Sequence, residues 1–170
     1  DMDISIISEK PAKRKNIVTL SKPEKKIKEL WPFIKKQILN DNQVFWVCPL
    51  IEESKKIDHQ SSIKRFEFLQ NLFGKRIGLL HGLLSKDEKN KILQKFLEKK
   101  IDILVSTTVI EVGIDFPNAN LIIIENSNKF GLAQLHQLRG RVGRNNQESF
   151  CILLHKENLG DTAKKRIQIM

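Results

Sequence analysis

Short apolar runs alternating with segments of helical period constrain this chain more than any other feature. Ile4–Ile7, Ile17–Leu20, Val44–Cys48, Ile77–Leu80, Ile103–Val105, Leu121–Ile124 and Phe150–Leu154 read as strands. Val44–Cys48 is apolar at every position, as expected for a strand covered on both faces. Between these runs, Ile27, Leu30, Ile34 and Ile38 recur at helical spacing, as do Ile63, Phe66, Leu69 and Phe73. Ile92, Leu93, Phe96 and Leu97 form a third such stripe. Strands that alternate with helices lead to an α/β sheet that is mainly parallel.

Local signals set the boundaries. Ser21 with Glu24, and Pro23 between them, predicts a capping box, and Ser85 with Glu88 predicts another. Pro32 inside the first helical stripe predicts a kink or break. Glu52 to Gln60 reads as a polar connector, Lys10 to Lys15 as a basic loop, and Gly131–Gly140 as the last interior helix.

A chain of 170 residues, 40% of them hydrophobic, suffices for one domain with one core. The formal net charge of +10 is spread along the chain, which favours a polyanionic partner such as nucleic acid. No apolar run approaches the roughly 20 residues needed to cross a bilayer. No charged-then-apolar leader opens the sequence, so neither a membrane nor a secretory role is expected. Cys48 and Cys151 lie inside apolar runs without a Cys-x-x-Cys spacing and read as reduced core thiols. The four histidines form no ligand pattern, so no metal site is expected.

Ligands of open α/β sheets bind beyond the carboxyl ends of the strands, so polar residues there matter most. Ser106-Thr107-Thr108 follows a strand directly, and small hydroxyl residues there can donate to a phosphate or close a turn. In Glu111-Val112-Gly113-Ile114-Asp115-Phe116-Pro117, Gly113 permits a tight backbone path. Asp115 offers a carboxylate to a sugar hydroxyl or a basic partner, or serves the loop alone. Gln137-Leu138-Arg139-Gly140-Arg141-Val142-Gly143-Arg144 sets Arg141 and Arg144 three apart, on one face of a helical turn, with Arg139 pointing elsewhere. Planar guanidinium forks suit phosphate oxygens, and the glycines allow close approach. A phosphate loop of the form Gly-x-x-x-x-Gly-Lys-Ser/Thr does not occur, since Gly74-Lys75 is followed by Arg76. An ATPase needs a phosphate cradle and a metal ligand, and this chain offers only the arginines, so alone it is not expected to hydrolyse ATP.

Taken in order, Leu80-His81-Gly82, Ser106 through Pro117 and Gln137 through Arg144 resemble the second RecA-like domain of superfamily 2 helicases. Trp46 through Ser54, Thr107 through Asp115 and Gly131 through Arg144 narrow the resemblance to the RecG branch of branched-DNA translocases. The last two phrases are shared with the transcription-repair coupling factor Mfd; the first looks like RecG. The implied fold is a three-layer α/β domain of RecA-like type, with a mainly parallel central sheet and helices on both faces.

By the same resemblance, Arg141 and Arg144 would reach the γ-phosphate of ATP, Arg144 as the arginine finger. Such residues contribute on the order of 10³–10⁵ in rate. Gly113 and Asp115 would contact the nucleotide sugar, and Gln137 would couple ATP to DNA. Thr107 would contact a DNA phosphate, supported by Thr108 and the His81-Gly82 turn. ATP and Mg²⁺ would be held mainly by a first motor lobe encoded upstream. That lobe, an amino-terminal wedge domain and branched or forked DNA are the implied partners. The full-length protein is expected to be a cytoplasmic, nucleoid-associated monomer. Where many members of the superfamily carry Arg after the His-Gly turn, this chain has Lys89. The implied division is residues 1–20 as lead-in strands and linker, 21–160 as the helicase carboxyl-side domain, and 161–170 as the start of a helical segment. Two other readings stay open: the equivalent lobe of an Mfd-like protein, and a non-catalytic nucleic-acid-binding module.

Overall fold

Val44, Phe45, Trp46 and Val47 are 0–2% exposed, so the strand they form lies between two packed faces. The computed structural model describes residues 3–7, 17–48, 55–107, 115–127, 136–137, 139–140, 143 and 147–156. The strands are β1 (Asp3–Ile7), β2 (Ile17–Pro23), β3 (Gln43–Val47), β4 (Ile77–Leu80), β5 (Ile103–Ser106), β6 (Ala119–Ile124) and β7 (Ser149–His155). They form one sheet in the order β1-β2-β7-β6-β3-β5-β4, parallel except for β1 against β2.

The helices are α1 (Trp31–Leu39), α2 (Lys55–Phe73) and α3 (Lys86–Leu97). α2 connects β3 to β4 across β5, and α3 then connects β4 back to β5. Right-handed crossovers running in opposite directions put their helices on opposite faces. The strand residues divide to match. Val44, Trp46, Ile103, Val105, Leu121 and Ile123 pack with Leu30, Ile34 and Leu69. Phe45, Val47, Leu104, Ile122 and Ile124 pack with Leu93 and Phe96 of α3, joined by Phe116. Each such buried side chain contributes roughly 1.5–3 kcal/mol.

Several local expectations meet corrections. The capping box at Ser85–Glu88 forms, each side chain bonding the other residue's backbone N–H. The same signature at Ser21–Glu24 does not. Ser21 is a buried residue of β2 paired with Leu153, and Pro23 precedes a 3-10 segment, Glu24–Leu30, without a side-chain cap. Ladder pairing with β7 holds the chain extended through Pro23, and the helical start moves on. The kink expected at Pro32 lies earlier, at Lys26 (φ −98°, ψ 17°); the 3-10 segment passes into α1 at Leu30–Trp31, and Pro32 lies in the first turn of α1, where its missing N–H costs nothing. α2 begins at Lys55, inside the segment expected to be a connector. Leu97, expected in the stripe of α3, is 41% exposed because the helix turns it past the edge of the buried face. Of Gly131–Gly140 only residues 136, 137, 139 and 140 are described, the first three helical. β2 spans the residue 20/21 division and is bonded along its length to β7.

Candidate functional site

The ladders run one residue beyond the strands at the carboxyl edge of the sheet. Thr107 N–H donates to the Leu80 carbonyl (3.0 Å), Cys48 N–H to Ser106 (2.8 Å) and Glu125 N–H to Val47 (2.9 Å). These bonds fix Thr107, Cys48 and Glu125 along one edge, with His81 directly after β4. Thr107 is buried, His81 half-buried and Gly82 exposed. The His81 Nδ1 accepts the Leu83 N–H at 3.2 Å, which leaves Nε2 as the protonated nitrogen of the neutral ring. The His59 ring of α2 lies 4.2 Å from it, centroid to centroid. Burial, and then the neighbouring His59, hold His81 below the ordinary histidine range, so it is neutral at pH 7.

On the same edge, just after β6, one carboxylate gathers four donors. Glu125 accepts from the Trp46 indole (2.6 Å), the Cys48 thiol (3.1 Å), and Arg65 Nε (3.0 Å) and Nη2 (2.8 Å). The Arg65 guanidinium also lies 5.4 Å from the Trp46 ring centroid and 5.7 Å from that of Phe68. Burial pulls the Arg65 pKa down, but the hydrogen bond and charge of Glu125 outweigh it and hold it above the usual value. Burial first, then the charge of Glu125, pushes the Cys48 thiol up, so it acts as a donor and not as a thiolate. None of this was singled out from sequence. The available signal was an acid closing the apolar run Leu121–Ile124, facing an indole and a thiol on the next strand.

Asp115 and Gly143 lie toward the opposite edge. Asp115 is exposed and opens the turn into β6. There Phe116 is buried against Phe45 and Phe96, with ring centroids at 5.3 and 5.0 Å, and the Asn118 carbonyl accepts Gln43 N–H at the start of β3 (2.8 Å). Gly143 lies at the start of β7. Its φ of +70° is left-handed, and a Cβ there would come within 2.0 Å of Ser149 Oγ. Gln137 is exposed on the helical segment. Arg139 is 1% exposed, and its charge acts on the buried Cys151. Thr108, Gly113, Arg141 and Arg144 lie outside the described residues. His81 and Thr107 are therefore brought together at the carboxyl edge. Asp115 and Gly143 sit near the amino edge.

The amino edge also carries a network of buried amides that sequence reading missed. Asn120 Nδ2 contacts the Gln147 carbonyl (3.3 Å), the Glu148 carbonyl (3.3 Å) and Ser149 Oγ (3.2 Å). Asn42 Nδ2 donates to Gln147 Oε1 (2.7 Å) and Gln37 Oε1 (3.0 Å). Partners 105 residues apart leave no local pattern to read.

Gly143, next to Arg144 in sequence, is required by its packing on Ser149, and Asp115 lies exposed close to the same edge. Residues 24–146 match the family described as helicase conserved C-terminal domain. The chain is 45% identical over 170 residues, 99% of its length, to the ATP-dependent DNA helicase RecG of Thermotoga maritima. It is 44% identical over its whole length to the RecG of Bacillus subtilis. It spans only 22% and 25% of those two proteins. Among solved structures, one of RecG bound to a three-way DNA junction matches 95% of this chain and 21% of its own, with a TM-score of 0.80 at 43% identity.

Proposed function

Because the chain belongs to the helicase conserved C-terminal domain family and is RecG-like along its length, we propose that it is the second motor lobe of an ATP-dependent DNA helicase acting on branched DNA. The observation that carries this reading is identity of 44–45% over essentially the whole chain.

In this reading the carboxyl edge grips DNA. The neutral His81 offers its Nε2–H, Gly82 leaves the backbone open, and Thr107 and Thr108 add hydroxyl donors to a backbone phosphate. The amino edge serves the nucleotide: Gly113 and Asp115 hold the sugar, and Arg141 and Arg144 engage the γ-phosphate. Gln137 couples the two. ATP with Mg²⁺, held mainly by a first lobe of the same polypeptide, supplies the phosphoryl transfer whose charge the arginines stabilise. Asp115 follows Thr107 by eight residues in sequence, so both roles fall on one short stretch of chain. Residues 1–20 would lead in from the first lobe, 21–160 form the motor domain, and 161–170 lead onward. The parent would work as a monomer in the bacterial cytoplasm on nucleoid DNA, alongside a wedge domain.

The isolated chain tests the half-site. It is expected to show no ATP turnover with or without forked DNA. Metal-dependent turnover by the pure chain would overturn the reading.

A further inference from the structure

Gly143 and Gln147, on either side of Arg144 in sequence, are each held by residues that themselves carry no charge. Gly143, immediately before Arg144 in sequence, packs so closely on Ser149 that a Cβ would lie 2.0 Å from its Oγ and 2.7 Å from its Cβ. Gln147, three residues beyond Arg144, is held twice. Its carbonyl lies 3.3 Å from Asn120 Nδ2, and its side-chain oxygen accepts from Asn42 Nδ2 at 2.7 Å. Asn120 also contacts Ser149 Oγ at 3.2 Å, so one buried amide touches both the seat of Gly143 and the exit of the turn.

The anchors themselves are set firmly. Asn120 is 0% exposed within β6, and Asn42 is 5% exposed between α1 and β3, where it also bonds Gln37. Ordinary closure of the sheet needs no amide here, since β6 and β7 already pair from Leu121 and Phe150 onward. The network reaches past the ladder to the segment just before β7, where the arginines lie in sequence.

From this we infer that Asn120, with Asn42 and Gln147, is a positioning residue that sets the arginine turn against the nucleotide. The inference rests on the proposed role of Arg144. Positioning matters because a displacement of about 1 Å at a reacting group can cost roughly 10²-fold. The clamp joins the turn both to the strand that follows Asp115 and to the start of β3. Relaxing it would leave the nucleotide bound and misplace the groups that meet its terminal phosphate.

The test uses the full-length parent protein and compares affinity for ADP with affinity for ADP–aluminium fluoride, a mimic of phosphate in transfer. A structural defect lowers the number of binding sites, whereas misplaced arginines lower the preference for the mimic. Asn120→Ala should reduce that preference about tenfold, with ADP affinity within about twofold of wild type. The milder, solvent-side Gln147→Ala should reduce it about threefold, and it decides the matter if Asn120→Ala does not fold. Arg144→Ala, run beside them, should abolish the preference. If Arg144→Ala keeps the preference, the arginine reading fails and the clamp with it. If Arg144→Ala loses the preference while the amide variants that fold keep it, the clamp alone is refuted.

Discussion

Arg65 of α2 and Glu125 at the end of β6, 60 residues apart, meet in a two-bond pair at 3.0 and 2.8 Å. The pair ties a helix on one face of the sheet to the carboxyl edge where His81 and Thr107 lie. Removing one partner of a buried pair commonly costs about 3–5 kcal/mol, and partial exposure of 21% and 10% here lowers that to roughly 2 kcal/mol. Arg65→Ala should therefore lower the unfolding midpoint of this chain in a denaturant titration, with an unchanged slope. A loss below about 0.5 kcal/mol would show that solvent already screens the pair.

Gly143→Ala should be severe for its size. The new Cβ meets Ser149, and the φ of +70° disfavours any side chain. We expect a loss of about 2 kcal/mol in stability and a fall in ATP turnover of the parent, read by calorimetry and steady-state kinetics. Ser149→Gly in the same chain should restore part of both. Failure of the second change to help would mean that the backbone angle, not the contact, dominates.

Cys151 gives a pH signature. Burial pushes its thiol from an ordinary value near 9.0 up to about 12, with Arg139 opposing weakly. The folded value exceeds the unfolded one, so this contribution is fully present below about pH 9 and is lost as pH rises toward about 12. Cys151→Ala should flatten the alkaline decline in stability. An unchanged decline would assign it to other groups.

His81→Ala in the parent should weaken forked-DNA binding several-fold at fixed salt, leaving both the slope of log affinity against log salt and the KM for ATP unchanged, because a neutral donor releases no counterion. Unaltered DNA affinity would remove His81 from the phosphate contacts.

The sheet was largely legible because its strands are continuous apolar runs: Val44–Cys48 and Leu121–Ile124 permit few alternatives. Helix starts were legible only where no longer-range pairing intervened. Ser85 and Ser21 carry the same local signal, but Ser21 is claimed by the ladder to Leu153. The candidate site was read as motifs in order, and its division between two edges was not visible. Thr107 and Asp115 are close in sequence, yet one follows β5 at the carboxyl edge and the other precedes β6 at the amino edge. Arg65–Glu125 and Asn42–Gln147 escaped notice because polar pairs between distant elements have no period.

The most direct test of the central claim is ATP hydrolysis by the full-length parent on forked DNA, wild type against Arg144→Ala, with DNA binding measured in parallel. A loss of at least roughly 10³-fold in turnover with DNA affinity retained is the expected result. Normal turnover, or lost DNA binding with turnover per bound complex intact, would contradict it and favour a module whose arginines only grip phosphate.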